Sequence, residues 1–229
     1  MLASVHTTLT QLGAANSLLY LLAVALGRIS GHRIRLYRYL LVGQPVPPDS
    51  TPMCRPTAKN PIREVKVSDP IVAQFPRPPQ VIAKRFADGA TCLVAEARER
   101  FAGFLWLAHG GYDEDEVRCR YEFAAPEQSV WDFDVYVEPE FRIGRTFSRL
   151  WDEANRRLAA QGVRWSYSRI SAFNPNSLSV HGRLGARKLF SATFLCIGQV
   201  QITVARTKPY LHIGLSKNSR PKLTLSPST

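Results

Sequence analysis

WDFDVYV (131–137), EPE (138–140), FRIGRTFSRLWDEANRRLAAQG (141–162) and VRWSYSRIS (163–171) follow one another without a break, and their order decides the fold. The first piece alternates apolar and polar residues as a strand does, and Pro139 ends it. In the third, Phe147, Leu150, Trp151, Ala154 and Leu158 recur at helical spacing, with Arg149, Asp152, Arg156 and Arg157 on the other side. Gly162 stops that helix, and the fourth piece is a second strand. Asn174-Pro175-Asn176-Ser177 then opens a short helix that ends at Leu184-Gly185-Ala186. A strand that enters a helix through a basic loop turns the free amides of the helix's first turn toward an anion.

Outward from this stretch the pattern stays that of one α/β domain. Downstream, residues 188–197 form a strand, and Gly198-Gln199 turns the chain into residues 200–206 as a closing hairpin. Upstream, residues 62–67 alternate as a strand, Ser68-Asp69-Pro70 and Pro78-Pro79 each start a helix, and residues 91–95 and 101–108 are strands. Val81, Ile82, Ala83, Phe86 and Ala87 supply the apolar face of the second helix. Gly110, Gly111 and Asp113-Glu114-Asp115-Glu116 read as an exposed loop before a strand at residues 117–123. Six prolines between Pro45 and Pro61 make a linker. Residues 34–44 read as a strand of an N-terminal arm, with a helix continuing from Leu26 as the alternative.

The 229 residues, 45% hydrophobic, suffice for one well-buried core with extensions. The formal charge is +12, and it sits at the ends. Residues 1–60 hold Arg28, Arg33, Arg35, Arg38, Arg55 and Lys59 against Asp49 alone. Residues 199–229 hold Arg206, Lys208, Lys217, Arg220 and Lys222 with no acid, which leaves the middle near neutral. Such basic arms suit nucleic acid, an anionic membrane surface, an acidic carrier protein or a phosphorylated ligand, or serve as solvated tails. Cys54, Cys92, Cys119 and Cys196 form no C-x-x-C pair and the five histidines are scattered, so neither a metal site nor a disulfide framework is indicated. A cytoplasmic location is expected, with peripheral membrane contact as a variant. The run LLYLLAVAL (18–26) is shorter than the ~20 apolar residues a bilayer span needs. It reads as a helix packed on the core or on a second copy of the chain, or as an interfacial membrane segment helped by Arg28, Arg33 and Arg35.

Over roughly residues 61–206 the order of elements and the local residues resemble the GNAT N-acetyltransferase family. Val137-Glu138-Pro139-Glu140-Phe141-Arg142 is similar to that family's strand end and entry to its phosphate loop. Asn174-Pro175-Asn176-Ser177-Leu178 with Arg183-Leu184-Gly185-Ala186 is similar to its later cofactor-binding motif. The family's loop reads Gln or Arg, two residues, Gly, one residue, then Gly or Ala. Here Arg142 fills the first position, Arg145 and Phe147 stand where small residues belong, and Gly144 comes one position early. The resemblance implies a mixed, mostly antiparallel central sheet flanked by helices. It divides the chain into a basic extension and linker (1–60), an acyltransferase domain (61–206) and a basic C-terminal tail (207–229).

The resemblance also implies a chemistry. Acetyl-CoA or another acyl-CoA is the expected cosubstrate, held by Val135, Tyr136, Val137, Arg142, Gly144, Arg145 and Thr146, with Asn174 and Ser177 from the later motif. Asn before proline is also a common turn starter, the lesser reading of Asn174. A backbone N–H of residues 135–137 would stabilise the oxyanion formed when an amine attacks the thioester. His181 falls where many members carry a tyrosine that protonates the leaving thiolate, work an imidazolium can do. Asp134 is the leading general base, with Asp132 expected on the same strand face and Glu122 on the preceding strand as further carboxylates. Tyr167 and Ser168 are weaker candidates for substrate contact. Cys196, in FLCIG, reads as buried and inert. The expected reaction is direct transfer of acetyl to a small-molecule or peptide amine, without metal. An acidic acyl carrier protein as donor, or a non-catalytic module whose arms contact nucleic acid or membrane, are the alternatives, and a homodimer is open.

Overall fold

The computed structural model describes residues 12–48, 52, 54 and 59–227. In chain order its elements are α1 (Ala14–Ile29), β1 (Ile34–Pro45), β2 (Ile62–Val65), α2 (Pro79–Ala87), β3 (Thr91–Ala97), β4 (Arg100–His109), β5 (Tyr112–Asp113) and β6 (Arg120–Phe123). Then follow β7 (Ser129–Val137), α3 (Thr146–Ala160), β8 (Trp165–Ser171), α4 (Pro175–Arg183), β9 (Arg187–Ile197), β10 (Val200–Ala205), β11 (Leu211–Gly214) and β12 (Lys222–Leu225). The chain is a mixed α/β protein with mostly antiparallel strands and flanking helices. It gathers into two compact units. One holds the described residues up to Gln44, Gly111–Ala125 and those from Tyr167 onward; the other holds those of Pro45–Gly110 and Pro126–Ser166. The linker read between Pro45 and Pro61 falls partly outside the described residues.

In the second unit the strand order is β7-β4-β3-β2, all antiparallel. Helix α3 packs on β2, β3 and β4. Of its expected apolar face, Leu150, Trp151, Ala154 and Leu158 are at most 1% exposed and Phe147 is half-buried. Each such large side chain contributes about 1.5–3 kcal/mol. A second cluster joins Ile71, Phe75 and Ile82 to Cys92, Phe101, Phe104 and Trp106. The helix expected after Ser68 is only a 3-10 turn, Pro70–Gln74, because Phe75-Pro76 follows and proline cannot continue it. Asp69 caps that turn by accepting a hydrogen bond from Ile71 N at 3.1 Å. On α2, Ala83 and Ala87 face outward, and Arg85 lies half-buried on the inward side one turn from Ile82.

In the first unit the order is β11-β10-β9-β1-β8. Residues 34–44 are a strand as expected but no arm: β1 pairs with β9 from Ile34↔Ile197 to Gly43↔Arg187. Tyr39 and Leu41 are at most 1% exposed there. The C-terminal segment is likewise more than a tail. β11 extends the hairpin beside β10, and β12 joins a small sheet, order β12-β6-β5, by pairing parallel with β6. Leu223 and Leu225 are fully buried in it. Glu122, expected near Asp134, is on β6 and pairs with Lys222 at 3.1 Å.

The acidic stretch 113–116 is only partly the exposed loop that the sequence suggests. Arg169 donates to Glu114 at 2.8 and 3.1 Å, and the Glu114 side chain is fully buried. Arg169 also pairs with Glu116 at 2.8 Å and lies 4.4 Å over the Tyr39 ring, while the Tyr39 hydroxyl donates to Glu116 at 2.5 Å. One cation from β8 thus draws the acids inward.

Candidate active site

Opposite β7, Phe104 pairs with Tyr136 and Trp106 with Phe133, so Leu105 alone faces both Asp134 and Val135. This is a β-bulge on β7, which leaves the extra residue outside the ladder with β4 and re-aims the side chains that follow. Asp134 takes the left-handed conformation, φ 46°, that Asp tolerates better than most residues. Across the bulge Gly103 pairs with Val137 at close range, and a Cβ on Gly103 would stand 2.4 Å from the Tyr136 carbonyl oxygen.

The bulge overturns one expectation. Asp132 and Asp134 do not share a face. Phe133 stacks with Trp106 on the side where Asp134 meets Arg85, whereas Asp132, one residue earlier, points the other way and is 3% exposed. Ser166 Oγ donates to Asp132 at 2.7 Å.

Asp134 is held by two arginines. Arg77 Nε donates to one carboxylate oxygen at 2.9 Å and its Nη2 to the other, and Arg85 Nη1 donates at 2.6 Å. Side-chain exposure is 15% for Asp134, 12% for Arg85 and 31% for Arg77. Both guanidinium groups lie on aromatic rings. Arg77 is 5.7 and 5.5 Å from the centroids of Phe104 and Tyr136, and Arg85 is 5.4 and 5.2 Å from those of Trp106 and Phe133. Stacking and bidentate pairing together suit arginine and would not suit lysine. Burial and the neighbouring Glu138 raise the Tyr136 phenol pKa, so this ring keeps its proton at neutral pH.

Beyond Tyr136 the chain reaches the basic loop. Glu138 N donates to Ala102 O at 2.9 Å, and Pro139–Phe141 form a 3-10 turn. Arg142 folds back: its Nε donates to Val137 O at 3.0 Å, and its guanidinium lies 6.0 Å from the Tyr136 ring. The loop arginine expected on a phosphate therefore closes the strand end here. Helix α3 begins with no acid in its first turn and no side-chain cap at Arg145. Its first amides remain available to an anion. Phe147 packs on Trp151 at 6.4 Å, so its bulk lies along the helix, and a Cβ at Gly144 would meet only Phe141 O at 3.3 Å. A cleft of about 840 Å³ opens at this end, lined in part by Arg98, Glu140, Gly144, Arg145, Thr146 and Arg149. Gly144, Arg145 and Thr146 come together here, while Val135, Tyr136 and Val137 are half-buried along the end of β7.

The remaining candidates belong to the first unit. Asn174 is the N-cap of α4, its side chain accepting from Ser177 N at 3.1 Å, which is the turn-starter role. His181 lies in the last turn, and its carbonyl accepts from Leu184 N and Ala186 N. Ser168 is buried, and Tyr167 is buried and stacked on Phe123 at 5.5 Å. All four cysteines are buried and free, and burial raises the thiol pKa of Cys92, Cys119 and Cys196, so these thiols are poor nucleophiles. Among the described residues, no group of three or more His, Cys, Asp and Glu could hold a metal ion.

Sequence reading missed Arg77, Arg85 and Gly103. Arg85 carried a signal, since a charge three residues after Ile82 interrupts the apolar face of α2. Gly103 and the bulge carried none.

No protein-family profile and no curated protein matches this sequence. Solved structures do. A tandem GNAT protein from the clavulanic acid biosynthesis pathway aligns at 16% identity and a TM-score of 0.51, over 75% of this chain and 57% of that one. A functionally unknown conserved protein from Staphylococcus epidermidis aligns at 13% identity and a TM-score of 0.50, over 76% of this chain and 67% of that one. The fold is that of the GNAT acyltransferases.

Proposed function

We propose that the chain is an acyl-CoA-dependent N-acyltransferase that transfers acetyl to an amine by direct attack. The observation that carries this reading is the bulged β7 leading through a basic loop into a helix whose first turn has neither acid nor cap. Bound coenzyme A thioester supplies an activated carbonyl. The amides of residues 145–147, with Arg145 and Arg149 beside them, fit its pyrophosphate, and Arg142 fixes the loop rather than the ligand. An amide N–H freed by the bulge near Val135 donates to the oxyanion as the amine adds to the carbonyl. The added amine gives its proton to solvent, the C–S bond breaks as the amide forms, and the thiolate leaves with a proton.

His181 is proposed as that proton's donor. Asp134, with its carboxylate held by two guanidinium groups, is better placed to fix the bulge than to accept a proton. Asn174 and Ser177, both spent on the helix cap, contribute to the cofactor through the amides they orient.

Isothermal titration with coenzyme A tests the reading. The wild-type chain is expected to bind, and Arg145→Glu to weaken binding about tenfold by reversing one charge-assisted contact. Absence of heat for the wild type would remove the reading. His181→Ala is expected to lower turnover by about a hundredfold with coenzyme A affinity unchanged, the signature of an acid acting only in the transition state. Unchanged turnover would assign the proton to solvent.

A further inference from the structure

Helix α1 is apolar on the side that faces away from the protein. Ala14, Leu18, Leu21, Leu22, Ala25 and Ile29 recur at the helical period and are all exposed, Leu18 at 69%, Leu21 at 47%, Leu22 at 46% and Ile29 at 86%. The opposite side carries the buried Ser17 and Gly27, and there Tyr20 meets Phe173 of its own unit edge-on at 5.6 Å. Water is a poor partner for so continuous an apolar stripe, and patches of this kind mark interaction surfaces.

Charge identifies the occupant. Exposed Arg28 is in the last turn of the helix, exposed Arg33 and Arg35 follow it within seven residues of the chain, and the sequence has no Asp or Glu before Asp49. A second copy would bring the same positive field against this one. The acids its first unit carries are already engaged: Asp113 by Arg120 and Arg220, Glu114 and Glu116 by Arg169, Asp115 by Tyr112, and Glu122 by Lys222. Sixteen residues span about 24 Å at 1.5 Å each, short of the roughly 30 Å hydrocarbon core, so the helix would lie on a bilayer rather than cross it. Among the described residues, no helix is long and apolar enough to cross a membrane.

The geometry points to α1 as a docking surface for an anionic lipid bilayer, with the leucine stripe in the acyl boundary and Arg28, Arg33 and Arg35 at the headgroups. Lipid docking at α1 does not depend on the proposed acyl-transfer chemistry.

Flotation of the full chain with phosphatidylcholine vesicles, with and without phosphatidylglycerol, tests this. Binding is expected to require phosphatidylglycerol and to weaken with salt. Arg28→Gln/Arg33→Gln/Arg35→Gln is expected to weaken it roughly a hundredfold, from about 1 kcal/mol per cation at the surface. Leu18→Gln/Leu21→Gln/Leu22→Gln alters only outward positions with a good helix former and is expected to abolish flotation with circular dichroism unchanged. No flotation of the wild type, or equal flotation of the leucine variant, overturns the proposal. A dimer in light scattering that the leucine variant dissolves, without vesicle binding, overturns it in favour of a second copy.

Discussion

Asp134→Asn is expected to lower stability by about 3 kcal/mol, since among the described residues it removes the charge that pairs with Arg85 while leaving that guanidinium where it is. Asn has nearly the same volume and tolerates the left-handed backbone equally well, so the loss isolates the charge. For a chain of this length that is a fall of about 6–12 °C in melting temperature. A loss below about 0.5 kcal/mol would mean that the pairs behave as surface pairs do. Combining Asp134→Asn with Arg85→Leu is expected to cost less than the sum of the single changes, because the uncompensated cation has gone.

The same variant separates two roles in the proposed chemistry. If the carboxylate only holds the bulge, activity falls but the pH dependence of turnover keeps its shape. If the carboxylate accepts the amine's proton, the rising limb of the pH profile is lost along with a factor of about 10²–10⁴. Proton exchange at the Val135 amide gives a readout independent of turnover, and faster exchange in Asp134→Asn is expected from the clamp.

Local order was legible in the sequence wherever one side chain pattern and one neighbour decide it. Helix α3 was readable because Leu150, Trp151, Ala154 and Leu158 alternate with arginines, and burial follows that alternation. In α1 the sequence showed an apolar run without a polar face, so periodicity could not say which side turns inward. What escaped was long-range. Residues 34–44 are strand-like, but a partner about 150 residues away places them beside β9, and nothing local encodes that pairing. Leu223 and Leu225 alternate with Lys222 and Thr224 as any strand would, yet their parallel partner is Tyr121 to Phe123. The bulge was hidden by its own sequence, since WDFDVYV alternates as an unbulged strand does, and only the register against Leu105 shows the extra residue. Gly103 had no motif around it, because its role depends on the carbonyl of a residue 33 positions later.

Gly103→Ala therefore tests the bulge from the opposite strand. Its Cβ would lie 2.4 Å from Tyr136 O, 3.1 Å from Val137 Cα and 3.3 Å from Tyr136 C, all of them backbone atoms that no rotamer change can move. β4 and β7 must separate, and a loss of about 3 kcal/mol is expected, at the upper end for overpacking. Gly182→Ala is the control. That glycine is inside α4 with nothing within 4 Å of its added Cβ, so the methyl group should stabilise by about 0.5–1 kcal/mol through helix propensity alone. Thermal melts of the two variants should move in opposite directions. If Gly103→Ala melted with the wild type, β7 would have to relax away from β4 at no cost, and the bulge would be too soft to hold an amide against a developing oxyanion. The same substitution should slow turnover more than it weakens coenzyme A binding, since Tyr136 and Val137 would be displaced while the amides of residues 145–147 stay at the start of α3.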